Sequence, residues 1–507
     1  MLSEKGGADG GHPPEHAPRF AERAPDALNN PQLRRNFRRA MDGLMAKRAA
    51  QFPDPAYWAE LRERGAAVKA RALAKLPDLL ERLEARLTTN GVQVHWAETT
   101  EEANAIVLGI LQRAGARTVI KGKSMVSEEM HLNAHLERHG IEAVESDLGE
   151  YIIQLAGETP SHIVMPCIHK NKDEISDLFA EKIPGLERTG DVDELTAAAR
   201  RVLRERFAQA DAGISGVNFA VAETGTLVLI ENEGNGRLST TMPPLHIAVT
   251  GIEKVVELLD DIPPLLALLP RSATGQPITT YVNMISGPRK KGEMGKAGEK
   301  DGPTAVHLVL LDAGRSRVYQ DVELADTLRC IRCAACMNHC PVYTRVGGHT
   351  YNAIYPGPIG KILTPQLQGL DAAGDQPHAS TLCNACAEVC PVKIPIPDLL
   401  VRLRREAVRP TETPATHLPV VKDGGAERSW NEALVWAGWR LVYTRPLLYR
   451  MVTRALAWGG NWVPAGAPLM RDWTTARTKP RFKPRTLHDL ARERGYPNRL
   501  ELDEVPK

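Results

Sequence analysis

The stretch from Leu328 to Pro395 constrains this chain more than any other. It reads LRCIRCAACMNHCPVY, then a Gly- and Pro-rich connection, then STLCNACAEVCPVKIP. Seven of the eight cysteines lie here. The first run is Cys330-x2-Cys333-x2-Cys336-x3-Cys340-Pro341, and the second is Cys383-x2-Cys386-x3-Cys390-Pro391. Cys333, Cys336 and Cys340 recur fifty positions later as Cys383, Cys386 and Cys390, which makes an internal repeat. In that repeat Ser380 stands where Cys330 would map.

The spacing has a chemical reason. A four-iron cubane takes one thiolate per iron. Cysteines at x2 intervals wrap one cluster, while the cysteine that precedes proline turns to the neighbouring one. This rule places Cys330, Cys333, Cys336 and Cys390 on a complete [4Fe–4S] cluster. A second cluster receives Cys340, Cys383 and Cys386, three thiolates only. Its fourth ligand is open between Ser380, water, Cys167 and none, and the last would leave a [3Fe–4S] centre. Zinc sites favour separated Cys pairs over a triple plus Cys-Pro. Disulfides need an oxidising compartment. The pattern therefore points to iron–sulfur chemistry.

Over 507 residues the hydrophobic content is 43% and the charged content 25%, with 64 basic against 62 acidic side chains. Such a balance suits a globular protein and gives no electrostatic reason to expect nucleic acid. No apolar run reaches the roughly 18–20 residues of a membrane helix. Residues 1–30 are Gly-, Pro- and His-rich without an apolar signal-peptide core, and are expected to be a disordered tail. With cluster-type cysteines, this implies a cytoplasmic protein.

Residues 31–90 read as an N-terminal helical segment. An α/β domain with a largely parallel sheet is expected over 70–320. Its strands are read at Val92–Trp96, Thr118–Lys121, Glu142–Glu145, Ser161–Pro166, Thr226–Glu231, His246–Thr250, Thr279–Ile285 and Val306–Leu311. Helices are read at Glu101–Ala114, Ser127–His139, Lys172–Phe179 and Val192–Ala210. A polar loop over 287–303, expected to be mobile, interrupts the pattern. An α-helical two-cluster domain follows over 321–406, then a linker over 407–429. The last segment, 430–507, is helical and rich in Trp and Arg. Trp430, Trp436, Trp439, Trp458, Trp462 and Trp473 alternate there with arginines. Its stretch 430–475 suits docking on a partner or electron acceptor, peripheral contact with a membrane, or a satellite core.

Loops of the α/β domain gather polar groups where strands should end. Lys121, Lys123, Ser124 and Ser127 follow one strand; Glu223 and Thr224 precede another, and Arg237 follows it. These residues could complement a carboxylate or phosphate, or could be turn residues with solvated charges. No G-x-G-x-x-G or Walker loop is present, so no nucleotide cofactor is indicated. His162, Cys167 and His169 span one junction, where buried or turn roles are the ordinary reading. Glu223 and His246 are conceivable acid–base groups that nothing in the sequence brings together.

Several segments together resemble the lactate utilisation protein B family. They are KGKSMVSEEMHLN, ESDLGEYIIQLAGETPSHIVMPCIHK, GVNFAVAETGTLVLIENEGNGRLSTTMPPLHIAVTGIEKV, LPRSATGQPITTY and the two cysteine runs. The resemblance implies an α/β LUD domain akin to sugar-phosphate isomerase and CoA-transferase folds, then a ferredoxin-type domain and a family-specific C-terminal segment. It implies the cluster sets already read from the spacing. It also implies two partners, a protein with CCG-type cysteine-rich domains and a smaller LUD protein, and so a subunit of an L-lactate dehydrogenase complex. The leading expectation is electron transfer during oxidation of L-lactate to pyruvate, at the membrane only through partners. Two other expectations stand beside it: hydro-lyase-type chemistry on a hydroxy acid at an open iron, and a purely structural pair of clusters.

Overall fold

The computed structural model describes residues 19–290, 302–407 and 430–496, apart from 468–469, 472–473 and 475–477. The chain forms two compact units, divided after Ala426.

Among the described residues, ten strands organise the first unit: β1 Gln93–Ala97, β2 Thr118–Lys121, β3 Glu142–Glu145, β4 Ala212–Ser215, β5 Phe219–Val221, β6 Thr226–Glu231, β7 Leu245–Gly251, β8 Val255–Val256, β9 Tyr281–Ile285 and β10 Ala305–Leu311. Six of them make a sheet in the order β1-β10-β7-β4-β2-β3. Every pairing in it is parallel. The central strands β4 and β7 are buried along their whole length, which is why they read as continuous apolar or small-residue runs rather than alternations. Gly213 on β4 lets the helix Asn235–Thr241 close over the sheet, since a Cβ there would lie 1.7 Å from the Ser239 carbonyl oxygen.

The expected single sheet is in fact two. β8, β5, β6 and β9 form a second, mixed sheet. β5 and β6 are an antiparallel hairpin with Val221 opposite Thr226. Its turn closes through Gly225, whose N–H donates to Val221 O at 3.0 Å and whose φ of +63° only glycine adopts freely. The remaining strand of the expected set, at Thr279–Ile285, begins at Tyr281 and pairs antiparallel with β6.

Three further expectations are corrected. Ser161–Pro166 is not a strand. His162 Nδ1 accepts the N–H groups of Val164 and Met165, both at 3.0 Å, so the segment satisfies its own amides and curls. The helix expected over Ser127–His139 is two, Met125–Glu129 and Leu132–Arg138, broken at His131 with φ 48°. At the break the Asn104 side chain donates to Met130 O at 2.7 Å. Residues Phe20–Asn29, placed in the tail, form a helix; Phe20 stacks 5.0 Å from Tyr351 and its N–H donates to Asp375 at 2.8 Å. Residues 1–18, most of the 287–303 loop and most of the linker lie outside the described residues.

The cysteine-bearing segment is built into the same core as the second sheet. Phe219, Val221 and Val228 share one apolar cluster with Leu79, Leu83, Cys333, Cys336, Tyr343, Ile362 and Leu400. One face of the large sheet packs into a separate cluster around Val107, Leu136 and Ile247, while the alternate residues Ala248, Leu308 and Leu310 join the first.

In the second unit, helices Trp430–Tyr443 and Pro446–Gly459 carry Trp430, Trp436, Trp439 and Trp458, all exposed. Trp439 stacks on Tyr443 at 4.4 Å, and Tyr443 meets Tyr449 at 5.1 Å. Trp462 is exposed as well, and Trp473 lies outside the described residues. The aromatic side chains therefore form a surface rather than a satellite core. Among the described residues, no helix is long and apolar enough to cross a membrane.

Candidate metal centre and the adjoining cleft

The repeat seen in the sequence is also a repeat of backbone conformation. Arg332 and Ala334 have φ of 60° and 61°; fifty positions on, Leu382 and Asn384 have 54° and 68°. A short helix follows each, Ala335–Asn338 and Ala385–Glu388. Left-handed residues among non-glycines carry a steric cost of roughly 1–2 kcal/mol each. Backbone N–H groups around these loops meet sulfur at the ligand positions, Arg332 among them from its left-handed conformation. Arg332 N–H donates to Cys330 Sγ at 3.4 Å, Tyr343 N–H to Cys340 Sγ at 3.5 Å, and Ile394 N–H to Cys390 Sγ at 3.4 Å.

Cys330, Cys333, Cys336 and Cys390 line one small apolar pocket, closed by Ile163, Ile359 and Ile394. These are the four residues that the spacing assigns to one cluster. All eight cysteines are free thiols. Among the described residues no three His, Cys, Asp or Glu side chains are arranged to hold a single metal ion. Four thiols lining one apolar space are the donor set that a four-iron cluster takes. Burial pushes the Cys333 and Cys336 thiols well up, and Cys390 to about 11. Such groups stay neutral unless bound cationic charge stabilises the thiolates.

The protein supplies positive charge around this pocket. Arg62 donates to the carbonyls of Cys390 and Ala387 at 2.9 and 2.8 Å. Arg332 reaches Glu253 at 3.2 Å, and Lys69 donates to the Glu253 carbonyl at 2.7 Å. Lys69 and Lys254 are buried, and desolvation lowers their pKa values to about 8 and about 7. A bound group of net negative charge would raise both values again.

Cys340, Cys383 and Cys386 form the second set. Burial first, then the nearby Cys340, pushes the Cys386 thiol up to about 12. Lys361 is buried with Nζ 3.6 Å from Cys340 Sγ. Cys383 is exposed, so this set meets the surface. Beside it runs a groove of about 620 Å³ lined by Arg34, Arg35, Arg38, His339, Pro341 and Arg345 among others. Ser380, three residues before Cys383, is half-buried and its Oγ accepts from Leu382 N–H at 3.2 Å. Cys167 does not join it: that side chain packs against the cluster of Ile152 and Phe179, apart from the core that holds the other cysteines.

A cluster of mostly buried polar side chains gathers where β2, β3 and β4 end, the place where parallel sheets bind ligands. Lys121 is buried and bound to Glu145 at 2.7 Å, Glu128 at 2.9 Å and Ser127 Oγ at 3.0 Å. Ser124 caps the helix Met125–Glu129 by accepting from Ser127 N–H at 3.2 Å. Lys123 donates to Val164 O at 3.2 Å and lies 3.8 Å from Glu150. Glu150 is buried with both carboxyl oxygens lacking a hydrogen-bond partner, and burial raises its pKa well above the ordinary range. Ser146, Ser239 and Asn235 complete the wall through contacts of 3.3 and 3.4 Å.

The structure thus brings Lys121, Lys123, Ser124 and Ser127 together. It leaves out the other three residues read from the sequence. Glu223 and Thr224 sit in the β5–β6 turn, where Glu223 accepts from Leu259 N–H at 2.9 Å and the Thr224 carbonyl accepts from Asn90 at 2.9 Å. Arg237 is exposed, and its N–H is turned to Glu231 at 2.6 Å. His246 is buried against Ser215 Oγ at 2.8 Å, far from an acid–base pairing with Glu223. His169 pairs with Glu158 at 2.7 Å on the surface of the loop. Glu145 and Glu150 escaped sequence reading because an acid in a helical or strand pattern looks solvated until the tertiary fold buries it.

One loop joins the cleft to the cysteine pocket. Val164 meets Lys123, while its neighbour Ile163 lines the pocket of Cys330 and Cys390. A buried ionic chain runs in parallel: Arg332 to Glu253, Glu253 to Arg315 at 2.7 Å, Arg315 to Glu129 at 2.7 Å, and Glu129 to the Tyr355 hydroxyl.

Comparison with known proteins agrees with this arrangement. The LUD domain family matches residues 80–311, the 4Fe-4S dicluster domain matches 326–394, and the family described as lactate utilisation protein B, C-terminal, matches 402–496. Among curated relatives, "Lactate utilization protein B" of Bacillus licheniformis is 40% identical, over 91% of this chain and 94% of that protein. The proteins of the same name from Bacillus velezensis and Bacillus subtilis are 39% and 38% identical, each over 91% of this chain.

Proposed function

Because the chain belongs to the lactate utilisation protein B family, we propose that it is the iron–sulfur electron-transfer subunit of a multi-protein system that oxidises L-lactate to pyruvate. The observation that carries this reading is the pair of cysteine sets, one closed in an apolar pocket and one reaching the surface. When bound, two iron–sulfur clusters would each accept and pass one electron at a time, with potentials tuned by charge, hydrogen bonds to sulfur and exposure. Cys330, Cys333, Cys336 and Cys390 would hold the inner group, and Cys340, Cys383 and Cys386 the outer one.

The chain's own residues define the rest. Oxidation of lactate releases two electrons and two protons. Lys123, partly exposed and held only by the Val164 carbonyl and a 3.8 Å approach to Glu150, is better placed to meet a carboxylate than Lys121, which is buried between Glu128 and Glu145. Glu150, whose pKa burial raises well above the ordinary range, sits beside it and in its protonated form would donate a hydrogen bond to a hydroxy acid. Ile163 and Val164 place that cleft one loop from the inner cysteines and shield both from water. The arginine groove beside Cys340 and the exposed tryptophans of the second unit are the two surfaces suited to partners, namely a CCG-type cysteine-rich protein and a smaller LUD protein.

The test is anaerobic purification of the full chain, counting iron and acid-labile sulfide, followed by addition of L-lactate with the two partner proteins. Lactate-dependent reduction seen by EPR supports the reading. Clusters that no accessible potential reduces would leave a structural role, and a substrate-dependent change at the outer cluster without reduction would favour hydro-lyase chemistry.

A further inference from the structure

The likeness between the two cysteine loops extends to a residue that is not a cysteine. Arg332 N–H donates to the Cys330 side chain two residues back, at 3.4 Å; Leu382 N–H donates to the Ser380 side chain two residues back, at 3.2 Å. Arg332 and Leu382 share the left-handed conformation, with φ of 60° and 54°. Neither is glycine, so the chain sustains the same unfavourable backbone twice to aim an N–H at the same position. The loop before Ser380 is also anchored. Arg404 holds the carbonyls of Pro377 and Ser380 at 2.9 and 2.8 Å.

We propose that the Ser380 oxygen is the fourth ligand of the cluster held by Cys340, Cys383 and Cys386. The proposal rests on the cluster reading above and deepens it. Cys330 is the first ligand of its set, and Ser380 occupies the equivalent place with the equivalent hydrogen bond. The competing thiol, Cys167, packs in a different apolar cluster, behind Ile152 and Phe179. On binding, the Ser380 O–H bond breaks, an Fe–O bond forms, and the proton leaves to solvent through the exposed segment Thr381–Asn384. No electron moves in this step. An alkoxide is a harder ligand than a thiolate and suits iron less well. The outer cluster therefore has one iron unlike its other three, at the surface and open to exchange with an oxygen ligand from outside.

The experiment uses the full chain reconstituted anaerobically with 57Fe-enriched ferrous iron and sulfide, as wild type, Ser380→Cys, Ser380→Ala and Cys167→Ala. Iron and sulfide counts, Mössbauer spectra and EPR are read on each. Wild type should carry about eight irons, the sum of two cubanes, one of them with the higher isomer shift of an oxygen-bound site. Ser380→Cys should keep that count and move the distinct iron to the tetrathiolate signature. Ser380→Ala should lose one iron and give a three-iron EPR signal on mild oxidation, while Cys167→Ala matches wild type. The proposal is overturned if Ser380→Ala matches wild type, if Cys167→Ala loses the iron instead, or if wild type holds a three-iron centre under excess ferrous iron. Absence of acid-labile sulfide in every protein would instead overturn the cluster reading beneath it.

Discussion

The His162 imidazole donates from Nε2 to the Asn338 side-chain oxygen at 3.2 Å, while its Nδ1 accepts from Val164 and Met165. Accepting at Nδ1 fixes the neutral tautomer. One buried histidine thereby shapes the loop that floors the cleft and ties it to the short helix carrying Cys336.

Acid should weaken the fold through this residue. Burial lowers the pKa of His162 to about 3 and that of His246 to about 4. In the unfolded chain both return to about 6.5. Between those values the unfolded state binds protons that the folded state does not, so stability is full above about pH 6.5 and falls as pH drops toward 4. Denaturant midpoints of the full chain measured from pH 7.5 to 4.5 should show this slope. His162→Gln should show a shallower one, and an unchanged slope would remove His162 from the account.

Lys123→Ala should weaken L-lactate binding by at least tenfold, whereas Arg237→Ala and Glu223→Ala should leave it unchanged. Lys123 faces Glu150; Glu223 is exposed in the β5–β6 turn, and Arg237 is exposed on the helix Asn235–Thr241. Calorimetric titration of the three variants separates these outcomes. Equal losses in all three would mean that the ligand binds elsewhere.

Lys121→Ala should act on stability rather than on affinity alone. The ammonium is buried between Glu145 and Glu128, and removing it leaves Glu145 buried without its counter-charge. Such a loss costs about 3–5 kcal/mol. Thermal and chemical denaturation read it directly, and Lys121→Met with Glu145→Gln should recover part of the loss.

Lys361→Met should make the outer cluster harder to reduce. The buried ammonium 3.6 Å from Cys340 Sγ favours the more negative, reduced state. Its removal should lower the midpoint potential on the order of 60 mV, the one-electron equivalent of a tenfold change. EPR-monitored redox titration of the variant beside wild type tests the sign as well as the size.

Much of this was legible before any fold was known. Thr118–Lys121, Glu142–Glu145 and Thr226–Glu231 are strands with the bounds that apolar pattern suggests, because strand burial writes itself into adjacent residues. The fifty-residue repeat lay in cysteine spacing, which is local for the same reason. Ala212–Ser215, central to the large sheet, was not legible; four small or apolar residues between the helix Val192–Gln209 and β5 carry no periodicity.

What the sequence determined is therefore the chemistry available: which thiols can share a group, where Ser380 interrupts the pattern, and that a parallel α/β layer precedes them. Tertiary structure alone decided which charges are buried and what meets what. It split the strands into two sheets, sent Glu223 and Arg237 away from Lys123, buried Glu150, and set Ile163 against the cysteines. Those outcomes depend on contacts between residues distant in the chain, and burial acts on a carboxylate or an amide only after such contacts exclude water.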